Sequence, residues 1–178
     1  MANDPNWRLP EAQTFSLTSP DFSSGDELPT SARSGIMGAG GEDRSPELRW
    51  EGAPSGTKSF AVTLYDPDAP TGSGFWHWAV YNIPADVTSL PGNAGHPDAG
   101  LLPAGAITLS NEARMERYIG AAPPPGNGEH RYFFTVSALD VDSLDLDEGS
   151  TPAILGFNFL GHILGRAQLM GTSETPSE

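Results

Sequence analysis

The sequence predicts a single, mostly β domain, and two observations carry that prediction. The chain of 178 residues contains 21 glycines and 17 prolines, a composition that favours frequent turns over long helices. Three segments (58–65, 75–83 and 130–139) are rich in the β-branched and aromatic residues that strands prefer, and an aspartate or a proline follows each of them. A chain of this length is expected to form one domain rather than two.

The N-terminal part is predicted to contribute a tail and three strands. Residues 1–12 are polar and contain two prolines, so we expect a flexible tail before a domain that spans 13–178. Residues 14–18 alternate in the manner of a half-buried strand, and 48–50 form a second short strand after a glycine-rich turn. The strand at 58–65 then runs into a proline-containing turn, where regular pairing stops.

The C-terminal part is predicted to contain three strands, a helix and a final strand. Pro84 ends the first of these strands, and a long irregular region follows it. Thr151 and Pro152 are typical of a helix N-cap and its first residue. The predicted elements, in order, are strands at 75–83, 106–110 and 130–139, a helix at 153–164 and a strand at 166–171.

Charge and composition exclude several classes of partner. The net charge is −14, from 23 acidic against 9 basic residues, and a chain this acidic is repelled by nucleic acids and anionic membranes. There is no cysteine, so disulfides are excluded. The sequence shows neither a signal-peptide core nor an apolar run of about 18 residues. We therefore expect a cytoplasmic protein with no stable membrane insertion.

Strand parity brings four chemically capable side chains together. Residues two apart on a strand share a face, so His77 shares a face with Phe75 and Ala79, opposite to the neighbouring tryptophans. By the same rule His130 and Tyr132 share a face. Asp66 ends the adjacent strand, so we expect an anion pocket built from two imidazoles, a carboxylate and a phenol.

The loop before His130 is suited to approach an anion closely. Residues 118–126 combine small side chains around Gly120 with a run of prolines, which leaves a few backbone N–H groups and a fixed loop shape. A carboxylate beside this site would repel an anion directly. Its expected role is to hydrogen-bond an imidazole, fix its tautomer and favour its charged form.

Ordered blocks of the sequence resemble the phosphatidylethanolamine-binding protein family, in particular its bacterial and archaeal Raf-kinase-inhibitor-like branch. The resemblance covers roughly residues 13–173. The blocks are Asp66-Pro-Asp-Ala-Pro70, Trp76-His77-Trp78, Tyr118-Ile-Gly through Pro-Pro-Pro-Gly126 to His130-Arg-Tyr132, and Thr151-Pro-Ala-Ile-Leu-Gly-Phe-Asn158.

The resemblance implies a Greek-key-like β-sandwich with a small pocket for phosphate, phosphoryl headgroups or similar anions. The residues that it places in the ligand pocket are Asp66, His77, Gly120, Ala122, Pro124, His130 and Tyr132. Neighbours expected to support the pocket are Asp68, Trp76 and Tyr118. This sequence has Ala121-Ala122 where the family usually shows a second glycine, a departure that affects the backbone shape of the loop and the size of the ligand.

Other conspicuous residues have structural interpretations. Trp76 and Trp78 are expected to pack on the opposite layer of the sheet, and Arg131 to form an ion pair. Asp68 suits a side-chain cap of its own turn. His162 is expected on the apolar C-terminal helix in a structural role.

The leading hypothesis is a non-enzymatic binding or regulatory protein, with no catalytic residue, no metal and no cofactor. One alternative is a protease or kinase inhibitor that acts through protein contacts, for example through the tail or the loop at 91–105. A less favoured alternative is an enzyme in which two histidines and a carboxylate hold a metal. No G-x-S-x-G motif supports a serine hydrolase. The oligomeric state, a homodimer included, is left open.

Overall fold

The computed structural model describes residues 4–177. Two sheets contain the strands, and one short α-helix packs outside them. The elements are β1 (Gln13–Thr14), β2 (Ser16–Thr18), β3 (Leu48–Glu51), β4 (Ser59–Asp66), β5 (Phe75–Pro84), β6 (Ser89–Leu90), β7 (Ile107–Thr108), β8 (His130–Leu139), α1 (Pro152–Phe159) and β9 (Ile163–Ser173). A single 3-10 turn covers Thr30–Ala32.

The strands form a six-stranded sheet in the order β1-β9-β8-β4-β5-β7 and a three-stranded sheet in the order β2-β3-β6. The predicted strand at 14–18 is divided between them, because the chain passes from one sheet to the other at the buried Phe15. β1 runs parallel to β9, whereas the other paired strands are antiparallel. The prediction of a mostly β sandwich with a short C-terminal helix is confirmed.

The main core lies between the two sheets. The small sheet contributes Leu17, Leu48 and Trp50, and the large sheet contributes alternate residues of β4 and β8 such as Leu64 and Phe134. A second, smaller cluster lies on the outer face of the large sheet beneath α1 and consists of Ala61, Ala79, Tyr81, Leu109 and Leu155. The large sheet is therefore covered on both faces, and each face has a different set of residues available for function.

The helix is shorter than its sequence pattern predicts. Thr151 caps it as expected, since its side chain accepts a hydrogen bond from the backbone N–H of Ile154 at 3.2 Å. α1 ends at Phe159, and the chain enters β9 at Ile163 because pairing with β8 extends that far. The prediction that His162 lies on this helix is wrong: its Nδ1 contacts Asp140 Oδ1 at 2.9 Å in the connecting turn.

The N-terminal segment contacts the edge of the large sheet near β9. Asn6 and Gln168 exchange side-chain hydrogen bonds of 2.7 and 3.1 Å, and Arg166 donates to the Pro10 carbonyl at 3.3 Å. Part of the predicted tail, from residue 4 onward, thus lies against the domain, while residues 1–3 are outside the described part of the chain. Within residues 4–177 no helix has the length and apolarity that crossing a membrane requires.

A β-bulge in β5 determines which side chains reach the site. β4 pairs Leu64 with Trp78 and Tyr65 with Trp76, so His77 is an extra residue without a partner in the register. His77 and Trp78 consequently both lie on the inner side of the sheet, whereas Trp76 lies on the outer side. The prediction that His77 shares a face with Ala79 is wrong, because strict alternation fails across a bulge.

Candidate functional site

The ends of three neighbouring strands lie side by side at one end of the large sheet. Asp66 is the last residue of β4, His130 is the first residue of β8, and Ser173 is the last residue of β9, directly opposite His130 in the register. The three residues are at most 3% exposed. The structure therefore brings Asp66 and His130 together as predicted and adds Ser173, which no local sequence pattern marks.

A buried hydrogen bond links His130 to Asp66. His130 Nδ1 lies 2.8 Å from Asp66 Oδ2, and Asp66 Oδ1 accepts from the backbone N–H groups of Asp68 and Ala69 at 2.8 and 3.0 Å. The carboxylate of Asp66, not that of Asp68, is thus the cap of the Asp-Pro-Asp turn. Because both oxygens of Asp66 are used, its orientation and that of the imidazole are fixed.

The second ring nitrogen of His130 contacts the loop that precedes β8. His130 Nε2 lies 2.8 Å from Asn127 Oδ1, and Asn127 is itself exposed. An imidazole that donates from Nδ1 to a carboxylate can also donate from Nε2 only when it is an imidazolium. Rotating the Asn127 amide by half a turn would instead suit the neutral ring. Asn127 is therefore a further side chain in contact with His130, and sequence reasoning missed it.

His77 faces the same site from the bulge in β5. Its Nδ1 lies 3.0 Å from the carbonyl oxygen of Ile119, and its ring packs edge-on against Tyr132 with centroids 5.3 Å apart. Burial lowers the pKa of His77, although the Ile119 carbonyl and the charge of Asp66 act in the opposite direction. At neutral pH the ring is accordingly neutral, with the Nδ1 proton donated to Ile119 and Nε2 able to accept a hydrogen bond.

Two buried hydroxyl groups at the site make no hydrogen bond of good geometry. They belong to Tyr132 and Ser173, and both lie on the His130 side of the sheet. Burial, reinforced by the negative charge of Asp66, raises the pKa of Tyr132, so this phenol stays protonated. A buried hydroxyl without a partner is unfavourable by about 1 to 3 kcal/mol. The Ser173 hydroxyl thus has no hydrogen-bond partner among residues 4–177, whereas the Tyr132 hydroxyl has only weak contacts, with the Ala122 N–H and the Asp66 carboxylate.

The loop before the triple proline offers fewer N–H groups than the sequence predicts. The Gly120 N–H donates to Asp43 Oδ1 at 2.8 Å, and the Ala121 N–H donates to the Ala32 carbonyl at 3.2 Å. The prediction that the Gly120 N–H binds a ligand is therefore wrong. After Gly120 and Ala121, Ala122 is the next residue of this loop, and its N–H makes a weak hydrogen-bonding contact with the Tyr132 hydroxyl. Pro124 is exposed, and its carbonyl accepts from the Asn127 N–H at 3.1 Å, which holds Asn127 over His130.

Asp43 is a buried carboxylate that holds this loop in place. It accepts hydrogen bonds from Ser34 Oγ at 2.7 Å, from the N–H groups of Gly35 and Ile36 at 2.9 and 2.8 Å, and from Gly120 at 2.8 Å. Burial alone would raise the pKa of Asp43, but these hydrogen bonds outweigh burial and lower it. Three of its partners lie 7 to 9 residues before it and Gly120 lies 77 residues after it, so no recognised short motif identifies it.

The three predicted supporting residues have different positions. Asp68 forms a two-point ion pair with Arg131, with Nε–Oδ2 and Nη2–Oδ1 distances of 2.7 and 2.8 Å, as predicted for Arg131. Tyr118 is buried and donates its hydroxyl to the Ala32 carbonyl at 2.8 Å. Trp76 packs against Tyr65 on the outer face of the sheet, so it does not support the pocket.

The described residues do not form a metal centre. Between residues 4 and 177 no three histidine or carboxylate side chains are arranged to hold a metal ion. Asp66 and His130 are hydrogen-bonded to each other and to neighbouring protein groups instead. The absence of metal and cofactor from the purified protein stays a prediction.

The two-sheet fold and the strand-end cluster of histidine, aspartate and tyrosine define the class of this protein. Residues 18–174 match the phosphatidylethanolamine-binding protein family, and the chain belongs to that family. It is 44% identical to YbcL of Escherichia coli over 89% of this chain and 87% of that protein, and 48% identical to YbhB of the same organism over 86% and 96%.

Solved structures agree with this assignment. The crystal structure of Escherichia coli YbcL, described as a new member of the mammalian family, has a TM-score of 0.86 and covers 90% of this chain and 98% of its own. A carboxypeptidase Y inhibitor in complex with its proteinase has a TM-score of 0.55 at 20% identity, covering 92% of this chain and 84% of its own. That likeness shows the fold alone. A Mycobacterium tuberculosis relative, 32% identical over 93% of this chain and 75% of its own length, is named a putative lipoprotein.

Proposed function

We propose that the protein is a non-enzymatic binding protein that holds a small anionic or phosphorylated ligand at Asp66, His77, His130 and Tyr132. The observation that carries this proposal is the buried Tyr132 hydroxyl without a hydrogen bond of good geometry, beside a His–Asp pair. Ser173 Oγ is a second such group directly across the sheet from His130. A ligand oxygen would satisfy both hydroxyls.

The charges at the site favour a ligand that carries a hydrogen-bond donor as well as an anionic oxygen. Asp66 and the net charge of −14 oppose anion binding, so local groups must supply the attraction. The hydroxyls and the imidazolium form of His130 act as donors, whereas neutral His77 presents an acceptor. A phosphoryl group linked to an ammonium or hydroxyl group, as in a phosphoethanolamine diester, matches both kinds of group.

Titration calorimetry with glycerophosphoethanolamine at pH 6 and pH 8 tests the proposal. Its phosphodiester stays singly negative and its amine stays protonated over this range, so only the protein titrates. We expect binding several-fold tighter at about pH 6, because protonated imidazole favours the anion. The contribution of His77 should grow further at lower pH, since burial lowers its pKa.

Single substitutions distinguish a direct ligand contact from a general effect of the protein's charge. His130→Gln should weaken the diester and flatten its pH dependence, and Tyr132→Phe should weaken it without changing that dependence. His96→Gln in the 91–105 loop, which holds none of the proposed ligand contacts, is the matched control and should bind like the parent. Equal affinities at both pH values, unchanged in His77→Gln and His130→Gln, would contradict a role for charged histidine.

Three further statements stay predictions. The proposal includes the absence of enzymatic activity and a cytoplasmic location. Inhibition of a kinase or protease through protein contacts is a separate hypothesis, and a pull-down with diester-loaded and diester-free protein distinguishes it from ligand binding alone.

A further inference from the structure

A cavity lies on the outer face of the large sheet, away from the His130 site. Its volume is about 410 Å³, within the range of small-molecule sites. β4, β8 and β9 form its floor, α1 forms one wall, and the N-terminal segment forms another. The apolar and aromatic side chains that line it include Leu9, Tyr65, Trp76, Phe133, Phe157 and Leu160.

Arg166 of β9 provides a positive charge on the floor of this cavity. Its one hydrogen bond among the described residues runs from Nη1 to the Pro10 carbonyl at 3.3 Å. No carboxylate oxygen of residues 4–177 lies within 4.0 Å of it, although Glu11 lines the adjoining cavity together with Arg166. Burial lowers the pKa of the Arg166 guanidinium, which reflects its partial removal from water.

None of the polar groups described around Arg166 forms an ion pair with it. The side-chain amide of Gln168 is hydrogen-bonded to Asn6 and Thr135. Ser137 lies directly opposite Arg166 in the β8–β9 register and lines the same cavity. In a chain of net charge −14, a half-buried arginine without an ion pair, at the base of an apolar cavity, points to an external anion.

We propose that this cavity binds a small amphiphile that has an apolar body and a single carboxylate. The carboxylate lies at Arg166, where a planar guanidinium can donate two parallel hydrogen bonds. The apolar body packs against the aromatic walls beneath α1. A small molecule suits the site better than a protein surface, because the charge lies on the sheet that forms the floor.

The test uses dodecanoate, with dodecanol as the neutral match, in titration calorimetry on the full chain below the micellar concentration. We expect one dodecanoate per chain and weaker binding of dodecanol. Arg166→Gln should weaken dodecanoate by about tenfold or more and leave dodecanol unchanged, because the lost contact is a charge-assisted hydrogen bond. Arg49→Gln removes the same charge from an exposed side chain of β3 and should have no effect.

A second variant fills the cavity without threatening the fold. Gly156 of α1 lines the cavity, and a Cβ atom built there meets nothing within 4 Å. Gly156→Leu should therefore be tolerated, favour the helix and abolish binding of both amphiphiles. Gly161→Leu is the matched control, since that position is also open but lies outside the cavity lining.

Several results would overturn this proposal. They are no dodecanoate binding by the parent, binding that survives Gly156→Leu, or equal loss in Arg166→Gln and Arg49→Gln. Sedimentation that shows a dimer dissociated by Gly156→Leu would mean that a second copy occupies the cavity. His130→Gln should leave dodecanoate binding intact, so this test stands apart from that of the diester site.

Discussion

Replacing Asp43 with asparagine should destabilise the protein strongly, although the two side chains have nearly the same shape. Asparagine also tolerates the positive φ of 51° at this position. The change keeps the oxygen that accepts from Ser34 and Gly120 but places an NH2 group against the N–H groups of Gly35 and Ile36. Two charge-assisted hydrogen bonds are lost, worth about 1.5 to 3 kcal/mol each. We expect unfolding to be easier by about 3 to 6 kcal/mol.

Urea unfolding at pH 7, followed by circular dichroism, measures this effect. Asp21→Asn is the control, because its carboxylate accepts one exposed hydrogen bond, from the Glu47 N–H at 2.8 Å, and its loss should cost about 1 kcal/mol or less. The folded-state pKa of Asp43 is lowered, so its contribution is present above pH 3.8 and is lost as the pH falls below that value. A cost below about 1 kcal/mol for Asp43→Asn would refute the claim that this carboxylate holds the loop.

Three further predictions concern titration, an ion pair and a helix cap. Burial lowers the folded-state pKa of His77 below 6.5, so as the pH falls the unfolded chain takes up a proton before the folded chain does. The contribution of neutral His77 to stability should therefore be complete above about pH 6.5 and decrease below it. His77→Gln should flatten that part of a plot of urea midpoint against pH. Arg131→Gln should cost about 1 to 3 kcal/mol in the same assay, because it leaves the half-buried Asp68 without its ion pair; an unchanged midpoint would contradict this. Thr151→Ala should cost about 1 kcal/mol, whereas Thr151→Ser should be nearly neutral by thermal unfolding, and equal losses would argue against a capping role.

Sequence alone was sufficient where a strand is regular and one of its faces is buried. In β8 buried and half-buried residues alternate from His130 to Thr135, so the shared face of His130 and Tyr132 and the outward Arg131 follow from period-two parity. The bounds of this strand also agree with the prediction. The end of β4 at Asp66 was predictable because proline stops the pairing immediately afterwards.

The predicted alternation of faces is wrong in β5 because the bulge inserts one extra residue into the strand. The register omits His77, so Trp78 joins the main core and Ala79 joins the outer cluster. A bulge depends on how the neighbouring strand is paired, and that pairing is not visible in the residues of β5 themselves. A second irregularity in the same strand falls near Asn82, which has a φ of 57°.

The loop at Gly120 shows a different limit of sequence reasoning. Small residues were interpreted as space for a ligand, but a Cβ at Gly120 would lie 2.3 Å from the backbone of Arg33. The close approach is thus to the chain itself, and Asp43 takes the N–H. Such long-range partners also hide Ser173, because only the β8–β9 register brings it to His130.

The bulge at His77 affects how ligand binding at the site would alter other parts of the molecule. His77 and Trp78 are consecutive residues on one side of the sheet, the first touching Tyr132 and the second packed edge-on against Tyr118. A backbone adjustment that moves one ring must therefore move the other. Amide hydrogen exchange should accordingly slow at Trp78 and around Tyr118 when the diester binds, even though neither side chain is among the proposed contacts.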